Sequence, residues 1–449
     1  MGSPQNRGGD KGHTNRRTAI GVASQCQSGH RGFTMRHVRA HSTAIVLTAV
    51  TFAVMVCSPP LAADEPGLPR SLAEAVRMEA ADALPRTAFY ETPSLAVTKP
   101  GDLLRQEPFR GYAVPSGATA VRILYHSLNA DGRDVATSGV VLIPAGKPPA
   151  DGWPVIVWAH GTSGVARMCA PSLQKDMEYG EEGLMPMMRA GFAVVATDYH
   201  GLGTQGPHEY INKTAQARDV IYSVPAAHAA VPELGKRYVV IGHSQGGITA
   251  WSVAEMQATL KDPDYLGAIS VSGAADAKSI LEQMGEPGSS AAFYLVYIAY
   301  AIHVRSPDFK PSDMLLGKAL ERYPDVTTKG CWNYAYASFL NDHEERVLKP
   351  GWNQTAAAQR FFAANQLGSA PVRGPLLVLT GEADETVPLP LVKATVKKAC
   401  GNGIALHFRS YPGLDHDPTM EKSTPDQLAW VRDRFAGKPF SSNCDSLAP

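Results

Sequence analysis

The sequence predicts an α/β fold, a mostly parallel, doubly wound sheet with a helical insertion. Three observations carry this. Short, largely β-branched runs alternate with helix-length segments over residues 154–273 and again over 375–435. One such run, Tyr238-Val239-Val240-Ile241, is apolar throughout, as a strand buried on both faces requires, and passes through Gly-His-Ser-Gln-Gly directly into a helical pattern. The block from 275 to 370 shows no strand of this kind and breaks the alternation.

The chain begins with a segment that does not belong to such a sheet. Residues 1–34 are polar and aperiodic. Met35 to Arg39 then forms a basic start, Ala44 to Cys57 an apolar core, and Leu61-Ala62-Ala63 a small-residue cleavage site. The pattern is that of a secretory signal peptide over 35–63, too short for a membrane span, with 1–34 read as an upstream over-extension. Seven of the 42 Lys and Arg and one of the 42 acids fall in residues 1–63, so the remainder carries 35 basic and 41 acidic residues. A mildly acidic remainder without basic clusters gives no footprint for nucleic acid. Export predicts an oxidising compartment, in which Cys169, Cys331, Cys400 and Cys444 would form two bridges with three possible connectivities. No C-x-x-C spacing points to zinc, and no metal or cofactor is expected.

The remaining elements follow in order. Residues 65–115 read as a loose lead-in. Residues 118–127 and 136–144, joined by a turn at Asn129 to Arg133, read as an antiparallel hairpin. Strands are expected at 154–159, 191–198, 238–241, 267–273, 375–380 and 405–411, and helices at 214–230, 246–260, 388–399 and about 424–435. The block 275–370, with the apolar, aromatic run Phe293 to Ile302, is expected to be a helical cap over the C-terminal edge of the sheet. The domain reading is therefore 64–274 with 371–449 as one unit and 275–370 as its insertion.

The chemistry is expected where the strands end. Ser244 lies between Gly242 and Gly246, whose missing Cβ atoms let strand and helix approach, and the turn would expose its hydroxyl at the sheet's edge. A serine hydroxyl needs a base within hydrogen-bond reach and an acid to orient that base. The strand 375–380 ends in Gly381-Glu-Ala-Asp384, and the strand 405–411 ends in Pro412-Gly-Leu-Asp-His416. Ser244, Asp384 and His416 thus follow in the order a parallel sheet of this type requires. Glu382 and Glu385 flank the acid, but Asp384 begins the turn; Asp415 and Asp417 read as capping groups, and His243 as packed into the sheet. For the oxyanion formed on attack, the backbone amides of Gln245 and Thr162 (with Gly161 as the alternative) are the expected donors, each worth roughly 3–4 kcal/mol. A Gly-Thr turn after the strand 154–159 would otherwise be only a tight turn.

The segments "VIVWAHGTSG", "ATDYHGLG", "GHSQGG", "LTGEADETVP" and "YPGLDH" together resemble α/β-hydrolases of the secretory lipase family, over about residues 80–445. The resemblance implies the α/β-hydrolase fold with a cap between the sixth and seventh strands. It also implies ester hydrolysis with Ser244 as nucleophile, His416 as base and Asp384 as orienting acid. The bridges it implies are Cys169–Cys331 and Cys400–Cys444. Yeast members carry a different loop after the third strand; His160-Gly161-Thr162 is the bacterial, esterase-like form, which implies a smaller or more soluble ester. The substrate expected is a small-molecule or lipid ester, with transient contact between the cap and a lipid interface; oligomeric state is not encoded. Two alternatives use the same residues differently. A serine peptidase or amidase would need an acidic pocket for a substrate amine, and no acidic cluster is visible in the sequence. A binding protein without turnover would not need the full Ser/Asp/His order.

Overall fold

The computed structural model describes residues 67–285, 291–340 and 346–447. The segments assigned to 1–34 and 35–63 lie outside these. Nine strands form one sheet: β1 (Leu103–Phe109), β2 (Thr119–Leu128), β3 (Asp134–Ile143), β4 (Trp153–Ala159), β5 (Ala193–Thr197), β6 (Leu234–His243), β7 (Tyr265–Val271), β8 (Leu376–Gly381) and β9 (Leu406–Tyr411). Their spatial order is 1-2-3-5-4-6-7-8-9. The β1–β2, β2–β3 and β3–β5 pairs are antiparallel, and every pair from β5 to β9 is parallel.

The opening is larger than a hairpin. The lead-in contains α1 (Leu72–Asp82) and β1, so three antiparallel strands precede the parallel ones and the helical insertion falls between the seventh and eighth strands. The reason is legible afterwards. Leu103–Phe109 is an edge strand with Arg105, Gln106, Glu107 and Pro108 in it and no continuous apolar run. One open edge tolerates charge and proline, which a central strand does not.

The central strands alternate their side chains between two cores. Val155, Val157 and Val240 are buried on one face, and Ile156, Trp158, Val239 and Ile241 on the other. Full burial of such side chains contributes about 1.5–3 kcal/mol each. The second face is covered by the short α2 (Met185–Arg189) and the first by α3 (Lys213–Ala230) and α4 (Gln245–Leu260).

Between β7 and β8 lie α5 (Ala277–Met284), α6 (Tyr294–Arg305), α7 (Gly317–Val326), α8 (Trp332–Ala337) and α9 (Ala356–Ala364). After β8, α10 (Leu389–Gly401) joins the first face. After β9, α11 (His416–Phe435) joins the second. The final helix therefore begins at His416 rather than near residue 424. Pro418 and Pro425 disguised it, yet Pro418 sits in the first turn, where no intrahelical N–H bond is lost. Among the described residues, no helix is long and apolar enough to cross a membrane.

Both bridges implied by the resemblance are formed, Cys169–Cys331 and Cys400–Cys444. The first fastens the loop after β4 to the start of α8, where Trp332 N–H also donates to the Ser163 carbonyl (2.9 Å). On the opposite side, Arg305 at the end of α6 pairs with Glu209 (2.8 Å) and Asp131 (2.6 Å). Cys331→Ser opens a cross-link spanning 162 residues. It should cost about 2–5 kcal/mol, chiefly by freeing the unfolded chain. Thermal unfolding should shift down by several degrees; an unchanged melting temperature would mean the noncovalent contacts alone hold this junction.

Candidate active site

The strand order reverses direction at β4, with β5 on one side and β6 on the other. A crevice opens beyond the C-terminal ends of strands at such a point. The parallel register sets Ala159 of β4 beside Gly242 of β6, so the loops that follow both strands emerge at one rim. β6 ends at His243 and α4 begins at Gln245, leaving Ser244 alone to make the reversal, at φ 55° and ψ −118°. A non-glycine residue rarely holds that conformation, and it persists here because strand and helix clamp it. The clamp is close: a Cβ on Gly246 would lie 1.8 Å from the Ala159 carbonyl oxygen, and one on Gly242 2.0 Å from that of Gly246. Only glycine fits at either position.

Three side chains from beyond three strand ends meet there. His416 Nε2 lies 2.9 Å from Ser244 Oγ, and His416 Nδ1 lies 2.9 Å from Asp384 Oδ2. An imidazole that donates Nδ1–H to the carboxylate keeps a lone pair on Nε2 to accept the serine hydroxyl. Asp384 is buried and its Oδ1 accepts the N–H groups of Thr386 (3.0 Å) and Val387 (2.7 Å), which locks the carboxylate's orientation. Its neighbours are elsewhere: Glu382 accepts from Ser410 at the surface, and Glu385 is exposed. Asp415 caps α11, accepting the N–H of His416 (2.7 Å), and also accepts that of Glu385 (3.2 Å), so it ties the acid's loop to the histidine's. His416 therefore stands at the first position of a helix, not on a free loop.

Burial pulls the His416 pKa down, but the Asp384 charge and hydrogen bond, helped by Asp417 and Asp415, outweigh it and push it up to about 9. His243 is affected in the opposite sense. It is fully buried, its ring 4.8 Å from that of His416 and 5.0 Å from that of Tyr179. Burial, then the neighbouring His416 charge, bring its pKa down to about 4. It is thus a neutral ring beside the His416 imidazole, packed into the sheet as expected from the sequence.

The expected amide donors face the same space. Thr162 and Gln245 both line the small cavity that Ser244 opens into, and among the described residues neither N–H has a hydrogen-bond partner. Gly161, the alternative, does not line that cavity; its Cα faces the Tyr179 hydroxyl, which a Cβ would approach to 2.6 Å. Sequence reasoning missed Tyr210, whose hydroxyl is 2.9 Å from Thr162 Oγ1 and fixes that loop from the β5 side. The one signal was position, on the loop after a strand ending at the same rim.

Two cavities adjoin at Thr162 and Tyr294. One, of about 60 Å³, is walled by apolar side chains of α4, α5 and α6 and contains Ser244. The other, of about 680 Å³, brings together Glu79 and Asp82 of α1, Asp176, Glu178 and Glu182 of the loop after β4, and Asp417 of α11, with Arg86 and Lys329 as its cations. No such pocket is visible in the sequence, because it is assembled from three segments, 79–82, 176–182 and 417, that are distant from one another along the chain. Burial, then repulsion from Asp176, raises the pKa of Asp82, and the same two causes hold Glu178 well above the usual carboxylate range. His243, His416 and Asp417 are the one group among the described residues close enough to share a metal ion. Both ring nitrogens of His416 are already engaged by Ser244 and Asp384, so ligation there would take that chain of hydrogen bonds apart.

Comparison with known proteins bears on the family and the fold. The family model described as secretory lipase matches residues 171–443. A "probable inactive lipase" of Mycobacterium tuberculosis is 23% identical over 370 residues, 77% of this chain and 80% of its own. Lipase 10 of Candida albicans is 21% identical over 401 residues, 80% of this chain and 83% of its own. Among solved structures, Candida antarctica lipase A in its closed state superposes with a TM-score of 0.67 at 18% identity, covering 82% of this chain and 90% of that one. The nine-stranded architecture is the α/β-hydrolase fold.

Proposed function

The chain belongs to the secretory lipase family, and from that premise we propose that it is an exported serine carboxylester hydrolase, a lipase or esterase working through an acyl-enzyme. The observation that carries this is the unbroken run Ser244–His416–Asp384, with 2.9 Å at each step. In this reading His416 takes the Ser244 proton as Oγ attacks the ester carbonyl. The tetrahedral oxyanion is held by the N–H groups of Gln245 and Thr162. His416 then returns the proton to the departing alkoxide, leaving an acyl group on Ser244, and a water activated by the same imidazole releases the acid. Placing Gln245 at the start of α4 adds the helix dipole to that stabilisation. Residues 275–370 act as the cap of a catalytic domain made of 64–274 and 371–449. The signal over 35–63 directs the chain to the cell exterior or envelope, consistent with two disulfides. No cofactor is required by this chemistry.

A relative described as inactive makes the retained chemistry here worth testing directly. A fluorophosphonate probe should label the protein once, at Ser244 by peptide mass spectrometry. A native, unlabelled protein would mean the serine is not activated, and the reading as a binding protein would replace this one.

A second reading, hydrolysis of an amide or peptide, is favoured by the carboxylates of the larger cavity, which would suit a free amino terminus. Aminoacyl p-nitroanilides assayed beside p-nitrophenyl esters of matched acyl groups separate the two. The ester reading expects turnover of the esters and none of the anilides; cleavage of the anilides that depends on the free amino group would favour the peptidase.

A further inference from the structure

Ester hydrolysis divides a substrate into an acyl part and an alcohol part, and the two cavities on either side of Thr162 and Tyr294 differ more than tenfold in volume, about 60 against about 680 Å³. Resting on the serine-hydrolase reading, we propose that the substrate is a short-chain acyl ester of a large, polar alcohol that carries no negative charge. The acyl chain, being hydrocarbon, belongs in the apolar cavity that Ser244 opens into. That cavity is walled by Ile280, Leu281 and Met284 of α5 and Ile298 of α6, all nearly fully buried. At roughly 10–15 Å³ per water-sized position, it holds about four to six such positions, enough for an acetyl to butyryl chain. A longer chain would have to displace packed side chains, and overfilling a close-packed core is destabilising.

The alcohol part then occupies the larger cavity. This cavity meets the Ser244 cavity at Thr162 and Tyr294, and its wall includes Asp417, the residue after His416. Six carboxylates and two cations surround this space, and Lys329 is already paired with Asp325 at 2.8 Å. With Glu178 held neutral by burial, the carboxylates of Asp176, Glu182 and Asp417 still repel a phosphorylated or carboxylated alcohol, whereas hydroxyl groups find acceptors. An alcohol of a few atoms would leave most of the space filled with water and gain nothing from it.

The test is a substrate matrix on the wild-type protein, run beside fluorophosphonate labelling. Across p-nitrophenyl acetate, butyrate, octanoate and palmitate, kcat/KM should peak at acetate or butyrate and fall at least tenfold by octanoate. With the acyl group held as butyryl, sucrose monobutyrate should show at least a tenfold lower KM than ethyl butyrate, and monobutyrin at least a tenfold lower KM than its glycerol-phosphate counterpart. Leu281→Ala and Ile298→Ala should each raise octanoate relative to butyrate at least tenfold. Octanoate or palmitate cleaved as well as butyrate, or no gain from the large alcohol, overturns this inference while labelling at Ser244 leaves the serine-hydrolase reading standing. Absence of both labelling and ester turnover overturns the two together. The wild-type matrix decides even if a cavity variant fails to fold.

Discussion

Ser244→Ala should leave a folded protein whose kcat/KM on p-nitrophenyl butyrate is lower by roughly 10⁴–10⁶-fold, the range seen when a nucleophile is removed and only the oxyanion donors and binding remain. Fold retention is expected because Ser244 contributes little to the core. Its main-chain bonds are made by backbone atoms that alanine keeps: its N–H to the Val271 carbonyl (2.9 Å), and its carbonyl to the N–H groups of Gly247 (2.9 Å) and Ile248 (3.2 Å). The strained φ of 55° is paid by serine and alanine alike. Circular dichroism should therefore superpose on the wild type while turnover disappears. Substantial turnover in that variant would show that the hydroxyl at 244 is not the attacking group.

Asp384→Asn should lower kcat by about 10⁴-fold and also move the pH profile. In the proposed mechanism the base works only as neutral imidazole. With the His416 pKa pushed up to about 9, kcat/KM should climb through the neutral range and reach half its plateau near that value, well above the ordinary 6.5. Burial is the largest influence on this pKa and lowers it; removing the Asp384 charge leaves only Asp417 and Asp415 to oppose it, so the midpoint should fall well below that of the parent protein. The stability linkage has the opposite trend. A folded-state pKa above the unfolded one contributes stability that is complete below about 6.5 and is lost as pH rises through about 9. Activity should thus increase with pH over the window in which this contribution to stability fades. A midpoint that does not move in the asparagine variant would mean the carboxylate is not what sets the basicity of His416.

How far these residues could be read in advance varies with how local their signals are. Ser244 announced itself because a reversal from buried strand to helix within one residue needs glycine on both sides, and Gly242 and Gly246 supply it. Asp384 and His416 followed from a rule of parallel sheets, that strand ends share one edge. The start of α11 was missed because Pro418 and Pro425 look like a break; Pro418 is tolerated because it sits in the first turn, whereas Pro425 lies inside the helix. β1 was missed because edge strands need no apolar pattern. Tyr210 bears no mark of its own; its contact with Thr162 exists only once the loops after β4 and β5 are brought together.

The chain alone therefore determined the layered sheet, the place of the helical insertion and the three groups of the hydrogen-bonded series. Each depends on periodicity, on backbone conformation or on strand direction, all of which act over a few residues. Only the tertiary structure decided how much room lies on either side of Ser244 and what charge surrounds it. A cavity is the space that packed elements leave unfilled. Its size and its carboxylates, drawn from positions as distant as Glu79 and Asp417, are properties of the whole assembly and of no segment within it.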